Sequence, residues 1–151
     1  MDQLESKMDE YPNLSFRFMP FPFDKHGGVI IDNNIFINSN LSKEQQYQDL
    51  NEEIAHYETT VGDIVKEDTL DKRQQEHLAR SRAMETVVSL DGLIHCFNHE
   101  IWTDQEVSDY FGVEVVYLHE SLEHWKEKFG VVFRYKNYWI DLSRGINISR
   151  I

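Results

Sequence analysis

The stretch LNEEIAHYETTVGDI, Leu50 to Ile64, decides how this chain reads. Within it Glu52 and His56 stand four apart. On a helix that spacing sets two side chains on one face, one turn apart, within reach of one ion. Glu53 lies three residues before His56, slightly rotated from that face. The pattern is H-E-x-x-H with a Glu in the first ligand position. In that motif two ligands sit one turn apart, and the Glu between them deprotonates a metal-bound water. A carboxylate oxygen binds zinc at nearly the distance of an imidazole nitrogen. It adds a negative charge, so the bound water would be less acidic.

The residues around this stretch support a helix. Ser42 is placed as an N-cap, Gln45 three residues on suits a capping box, and Leu41 suits a hydrophobic staple. Tyr47, Leu50, Ile54 and Tyr57 then follow at helical spacing and make one apolar stripe. Gly62 breaks the pattern near its end. Upstream, GVIIDNNIFINS reads as a hairpin: Val29–Ile31 and Ile35–Ile37 flank Asp32, Asn33 and Asn34. Residues 1–25 read as an N-terminal extension. Its SFRFMPFPFD segment is extended, because Pro20 and Pro22 exclude a helix there.

Downstream, a second helix is expected from about Asp71 to Val88, with Ala79, Ala83 and Val87 as its stripe and Leu78 and Val88 beside it. SLDGLIHCFNHE opens a short helix. TDQEVSDYFGVEVVYLHESLEHW reads as helix, turn at Gly112, helix, with Thr103 as cap and Glu106 at the box position. Residues 131–151 hold a C-terminal hairpin turning at Lys136 and Asn137. Strands, helices, then strands predict an α+β fold in one domain.

Composition narrows the function classes. The chain has 151 residues, 27 acidic against 15 basic, for a net charge of −12. Such a surface repels nucleic-acid phosphate. Cys96 is the single cysteine, so no internal disulfide can form, and a reducing compartment is expected. The acidic start MDQLESKMDEYP is unlike a signal peptide. No apolar run approaches the roughly 20 residues that span a bilayer. The expected location is the cytoplasm, with no membrane partner.

A zinc site needs a third protein ligand, and Glu76 is the candidate. It precedes Ala79, Ala83 and Val87 at helical spacing, so it extends their stripe. A carboxylate on a buried stripe is costly unless paired or metal-bound. Small alanines would let the two helices approach, so that Glu52, His56 and Glu76 meet across them. Arg80, four residues after Glu76, offers the plainer alternative of an exposed salt bridge.

The other motifs point elsewhere. His119 and His124 in HESLEH are five apart, about 140° around a helix, too far for one ion. His95 and His99 have helical spacing but no acidic or cysteine partner placed by it. Cys96 has no activating neighbour and reads as a buried structural residue. Tyr57 and Asp63 read as packing and turn residues, or as contacts that orient a ligand. The helix–Gly112–helix stretch looks like a helix-turn-helix, but its second helix carries Glu114, Glu120 and Glu123 where a recognition helix would carry bases. Direct DNA binding is therefore not expected.

EEIAHY, TTVGD and the later EHLARSRAMETVVS together are similar to the ImmA/IrrE family of metallopeptidases, a type carried by phages and mobile elements of Gram-positive bacteria. That family's E-E-L-G-H-Y helix, T-x-V-G-D continuation and E-x-x-A-R-x-x-A-x-x-x-L-V-P segment have counterparts here in the same order. Ser89 replaces the usual Pro, and Glu52 replaces the first His. The resemblance covers about residues 28 to 130. It implies a gluzincin-like fold, a small sheet packed on a helical bundle that carries the active-site helix. It also implies one Zn²⁺ held by Glu52, His56 and Glu76, with Glu53 as general base. The implied substrate or partner is a helix-turn-helix repressor of a mobile element, which is cleaved or relieved. The alternative is an inactive pseudo-peptidase that acts as an antirepressor by binding alone.

Overall fold

The computed structural model describes residues 2–22, 27–61 and 71–151. Among them are six helices and six strands, in an α+β arrangement. The chain divides into two compact units, Met1–Ala83 and Met84–Ile151.

The first unit opens with α1 (Gln3–Asp9), capped by Asp2, whose carboxylate accepts from the Glu5 amide at 2.8 Å. Three strands follow: β1 (Ser15–Met19), β2 (Val29–Ile31) and β3 (Asn34–Asn38). β2 and β3 are the expected hairpin, turning through Asp32 at φ 55. The SFRFM segment, which leads into Pro20 and Pro22, is extended as expected and pairs in parallel with β3. The sheet order is β1-β3-β2. In the central strand Ile35 and Ile37 alternate with the partly buried Asn34 and Phe36 and are themselves fully buried in the core cluster.

Against this sheet lies α2 (Lys43–Val61). Ser42 caps it, accepting from the Gln45 amide at 3.1 Å. The Gln45 side chain turns to Asp49 instead of closing the box. Leu50 and Ile54 join Leu14, Ile35 and Ile37 in one cluster, with Tyr57 packed on it. Each such aliphatic side chain stabilises the fold by roughly 1.5–3 kcal/mol. This cluster fixes the rotation of α2 and so decides where its EEIAH face points.

α3 (Lys72–Val87) is the second expected helix. Asp71 and Gln74 cap it reciprocally, at 2.8 and 3.0 Å. Ala55 of α2 packs on Ala79 and Ala83 of α3, and these short side chains bring the two backbones close. Leu78, expected beside the buried stripe, is 38% exposed instead.

The second unit holds the last turn of α3, then α4 (Leu90–Asn98), α5 (Asp104–Phe111) and α6 (Val115–Phe129). Thr103 and Glu106 form the expected capping box, and Gly112 ends α5 in the left-handed region at φ 73, where a glycine costs least. Trp125 of α6 donates its indole N–H to the Val88 carbonyl at 2.8 Å. The expected C-terminal hairpin is β4 (Val132–Tyr135) and β5 (Tyr138–Asp141). A third strand that the sequence reading did not include, β6 (Asn147–Arg150), pairs antiparallel with β5. No helix among the described residues is long and apolar enough to cross a membrane.

Candidate metal centre

Helical periodicity places Glu52, Glu53 and His56 in the middle of α2. Glu53 is rotated inward and only 9% exposed, while Glu52 and His56 are partly exposed at the side facing α3. Glu76 sits on the first turns of α3. Its Oε2 lies 3.1 Å from His56 Nε2. One donor atom from each of Glu52, His56 and Glu76 falls within 4.8 Å of the others. Among the described residues this is the only group of three or more such side chains close enough to share an ion.

The donor chemistry suits zinc, which takes carboxylate oxygens and imidazole nitrogens at about 2.0–2.2 Å. Two ligands of one tetrahedral ion are then roughly 3.3 Å apart, close to the His56–Glu76 separation.

One step of the sequence reasoning needs correction. Glu76 is not on a buried stripe: its side chain is 51% exposed. The helices touch at Ala79 and Ala83, further along α3, and Glu76 lies before that contact, where solvent still reaches it. The argument from the cost of a buried carboxylate therefore does not apply. Arg80 has a different place as well: its guanidinium lies 3.9 Å from Glu52.

Electrostatically the site is crowded with negative charge. Burial, opposed by His56 and aided by the charges of Glu52, Glu76 and Asp49, raises the Glu53 carboxyl to about 7. Burial also raises Glu52, against the pull of Arg80 and His56. Carboxylates that resist ionisation beside a histidine are the electrostatic setting a divalent cation would relieve.

The lesser candidates separate. Tyr57 packs on the core cluster, and its hydroxyl accepts from Asn13 at 2.8 Å. Asp63 lies outside the described residues. His119 and His124 turn to different partners, Asp104 at 2.7 Å and Glu85 at 2.6 Å, as five-residue spacing requires. His95 and His99 stack face to face, with ring centroids 3.9 Å apart. Cys96 is buried, and burial pushes its thiol up to about 11, far from a nucleophile at neutral pH.

Asp49 was missed by sequence reasoning. It is 3% exposed, accepts from the Gln45 side chain at 2.9 Å and from the Gly27 amide at 3.0 Å. The signal was present: Asp49 is one turn before Glu53, an acidic residue on the inward side of an amphipathic helix.

Sheet, active-site-type helix and a carboxylate on a second helix together define a metallopeptidase-like domain. Residues 6–123 match the IrrE N-terminal-like domain, peptidase family M78. That match covers more than half of the chain, which therefore belongs to this family, the one its EEIAHY and EHLARSRAMETVVS segments resemble. A comparison with curated proteins gives no match.

Proposed function

We propose that this chain is a zinc peptidase acting on a helix-turn-helix repressor of a mobile element. The observation that carries the reading is the grouping of Glu52, His56 and Glu76 beside a buried Glu53. Those three side chains would hold Zn²⁺. When bound, zinc acts as a Lewis acid that polarises a peptide carbonyl. Glu53 is the proton carrier. Buried beside the three ligands, Glu53 would take a proton from a water that the zinc has made more acidic and return it to the leaving amine. Arg80 beside Glu52 offsets part of the site's negative charge.

A basic partner is supported by charge. Between Met84 and Trp125 the chain carries nine acidic side chains and no Lys or Arg. Such a surface attracts a protein that itself binds DNA and repels DNA directly. α5 and the part of α6 before Lys126 belong to this acidic stretch, which accords with a repressor-facing surface in place of a DNA reader.

The second reading, an antirepressor that binds without cutting, is favoured by the same acidic stretch and by Glu52 in the first ligand position. The repressor's fate separates the two. With purified repressor and zinc, the peptidase yields fragments, and Glu53→Gln yields none while still binding. General acid–base catalysis is typically worth 10²–10⁴-fold, so a loss of about that size is expected. An intact complex with both proteins, and full relief of repression by Glu53→Gln, would replace catalysis with binding.

A further inference from the structure

Gly28 follows Gly27, immediately precedes β2 and lies against the stem of Glu53. A Cβ built on it would stand 2.8 Å from Glu53 Cγ, 2.8 Å from the Phe36 carbonyl oxygen and 3.0 Å from Ile37 Cδ1. Real side chains do not approach so closely. Two of those neighbours are fixed. Phe36 is in the β2–β3 ladder opposite Val29, and Ile37 is fully buried in the core cluster. The Glu53 side chain, which turns about its own torsions, is the one that can yield. The residue before Gly28 is held too: Gly27, at φ 97, donates its amide to Asp49 on α2. Asp49 is thus a buried tie that draws the start of β2 down onto the helix that carries Glu53.

We propose that Gly28, seated by the Gly27–Asp49 hydrogen bond, is a positioning residue that confines the Glu53 stem and sets where its carboxyl stands. The bare backbone at position 28 leaves open the space against which the Glu53 methylenes lie. A methyl there crowds the Glu53 stem, whereas Glu52, His56 and Glu76 are not among its nearest neighbours. Its catalytic consequence rests on Glu53 being the proton carrier. A displacement on the order of 1 Å can cost about 10²-fold in rate.

The first test uses metal-free protein and needs no cleavage. Gly28→Ala, Glu53→Ala and the double variant are compared by thermal unfolding, because a double-mutant cycle isolates the contact between two residues. Gly28→Ala should lower the midpoint in both backgrounds, because the Phe36 carbonyl oxygen lies 2.8 Å away in each, and by less where residue 53 has no Cγ. Equal losses in both backgrounds would overturn the proposal. Asp49 supplies a second route that does not depend on how Gly28→Ala folds. Hydrogen exchange at the Gly27 and Gly28 amides should speed up in Asp49→Ala and stay slow in Asp49→Asn, whose side-chain oxygen still accepts. Unchanged exchange in Asp49→Ala would remove the tie.

The functional arm uses zinc-loaded protein and a pool of internally quenched peptides. Gly28→Ala should keep zinc content and KM and lose kcat by about 10²-fold. A change confined to KM or to zinc content would overturn the positioning role. A parent that cleaves no peptide counts against the peptidase reading, while the cycle and the exchange measurements still decide the contact.

Discussion

Two histidine–glutamate contacts in this protein have similar lengths and opposite surroundings. His56 meets Glu76 at 3.1 Å, and His124 meets Glu85 at 2.6 Å. Around His56 stand Glu52, Glu53 and Asp49, with Arg80 as the cation beside Glu52. The Glu52 and Glu53 carboxyls are pushed up, chiefly by burial. Around Glu85 the balance reverses. Burial would raise its carboxyl, but hydrogen bonds from His124 and from Lys128, at 2.9 and 3.0 Å, outweigh it and hold the group low. Lys128 also lies over the rings of Trp125 and Phe129. The Glu85 cluster brings its own cation and is electrostatically complete. Among the described residues the α2–α3 cluster gathers more acidic than basic side chains. The difference teaches that a His–Glu distance alone says little about metal binding; the surrounding charge distinguishes a structural ion pair from a site suited to a cation.

Zinc stoichiometry is the sharpest way to break that contrast. Untagged protein purified without chelator should carry about one zinc per chain, the count of ligand sets in the structure. His56→Ala and Glu76→Ala should abolish it, whereas His124→Ala and Glu85→Gln should leave it intact. Zinc retained in the first pair, or lost only in the second, would reverse the assignment of the two clusters.

The pH dependence of stability should differ in sign between the two clusters. In metal-free protein the folded state holds Glu53 protonated to about pH 7, while the unfolded chain releases that proton near 4.5. The folded state binds more protons in that window, so this carboxyl's contribution makes stability fall as pH rises through it. Chemical denaturation of metal-free Glu53→Gln should lose that slope. Glu85 contributes the other way. Its lowered carboxyl adds stability above its unfolded value, lost as pH falls through the folded one. Glu85→Gln should therefore flatten the acid limb, and an unchanged acid limb would count against the ion pair.

The smallest effect is expected at Lys128. Its side chain is 43% exposed, so solvent screens its pairing with Glu85. Lys128→Ala should cost ~1 kcal/mol or less, read from the denaturation midpoint. A loss several times larger would mean that its contact with the Trp125 and Phe129 rings matters more than the charge.

Much of the local structure was legible because it depends on neighbours in the chain. Ser42 and Thr103 cap the helices they were expected to cap, and the turns at Asp32 and Lys136 join the expected strands. Glu52 and His56 share a face because 3.6 residues make a turn. β6 was not legible, since NISR has too little alternation to stand out and becomes a strand by pairing with β5. Glu76 was chosen for a place on a buried stripe that it does not occupy, yet it lies against His56. The resemblance to the peptidase family carried that choice better than the helical wheel did.

The sequence by itself determined the helix periods, the caps, the hairpin turns and the four-residue step from Glu52 to His56. Those follow from backbone geometry and from side chains within a few positions of one another. Only the tertiary structure decided that Glu76 reaches His56, that Arg80 turns to Glu52, that Asp49 holds Gly27, and that Gly28 lies where an added side chain would meet Glu53. Those pairs are separated by about twenty residues or more. Their meeting depends on how tightly Ala55 packs against Ala79 and Ala83, and on how the Leu50–Ile54 cluster rotates α2 against its sheet. Such quantities are sums over many contacts, and no local stretch of sequence encodes them.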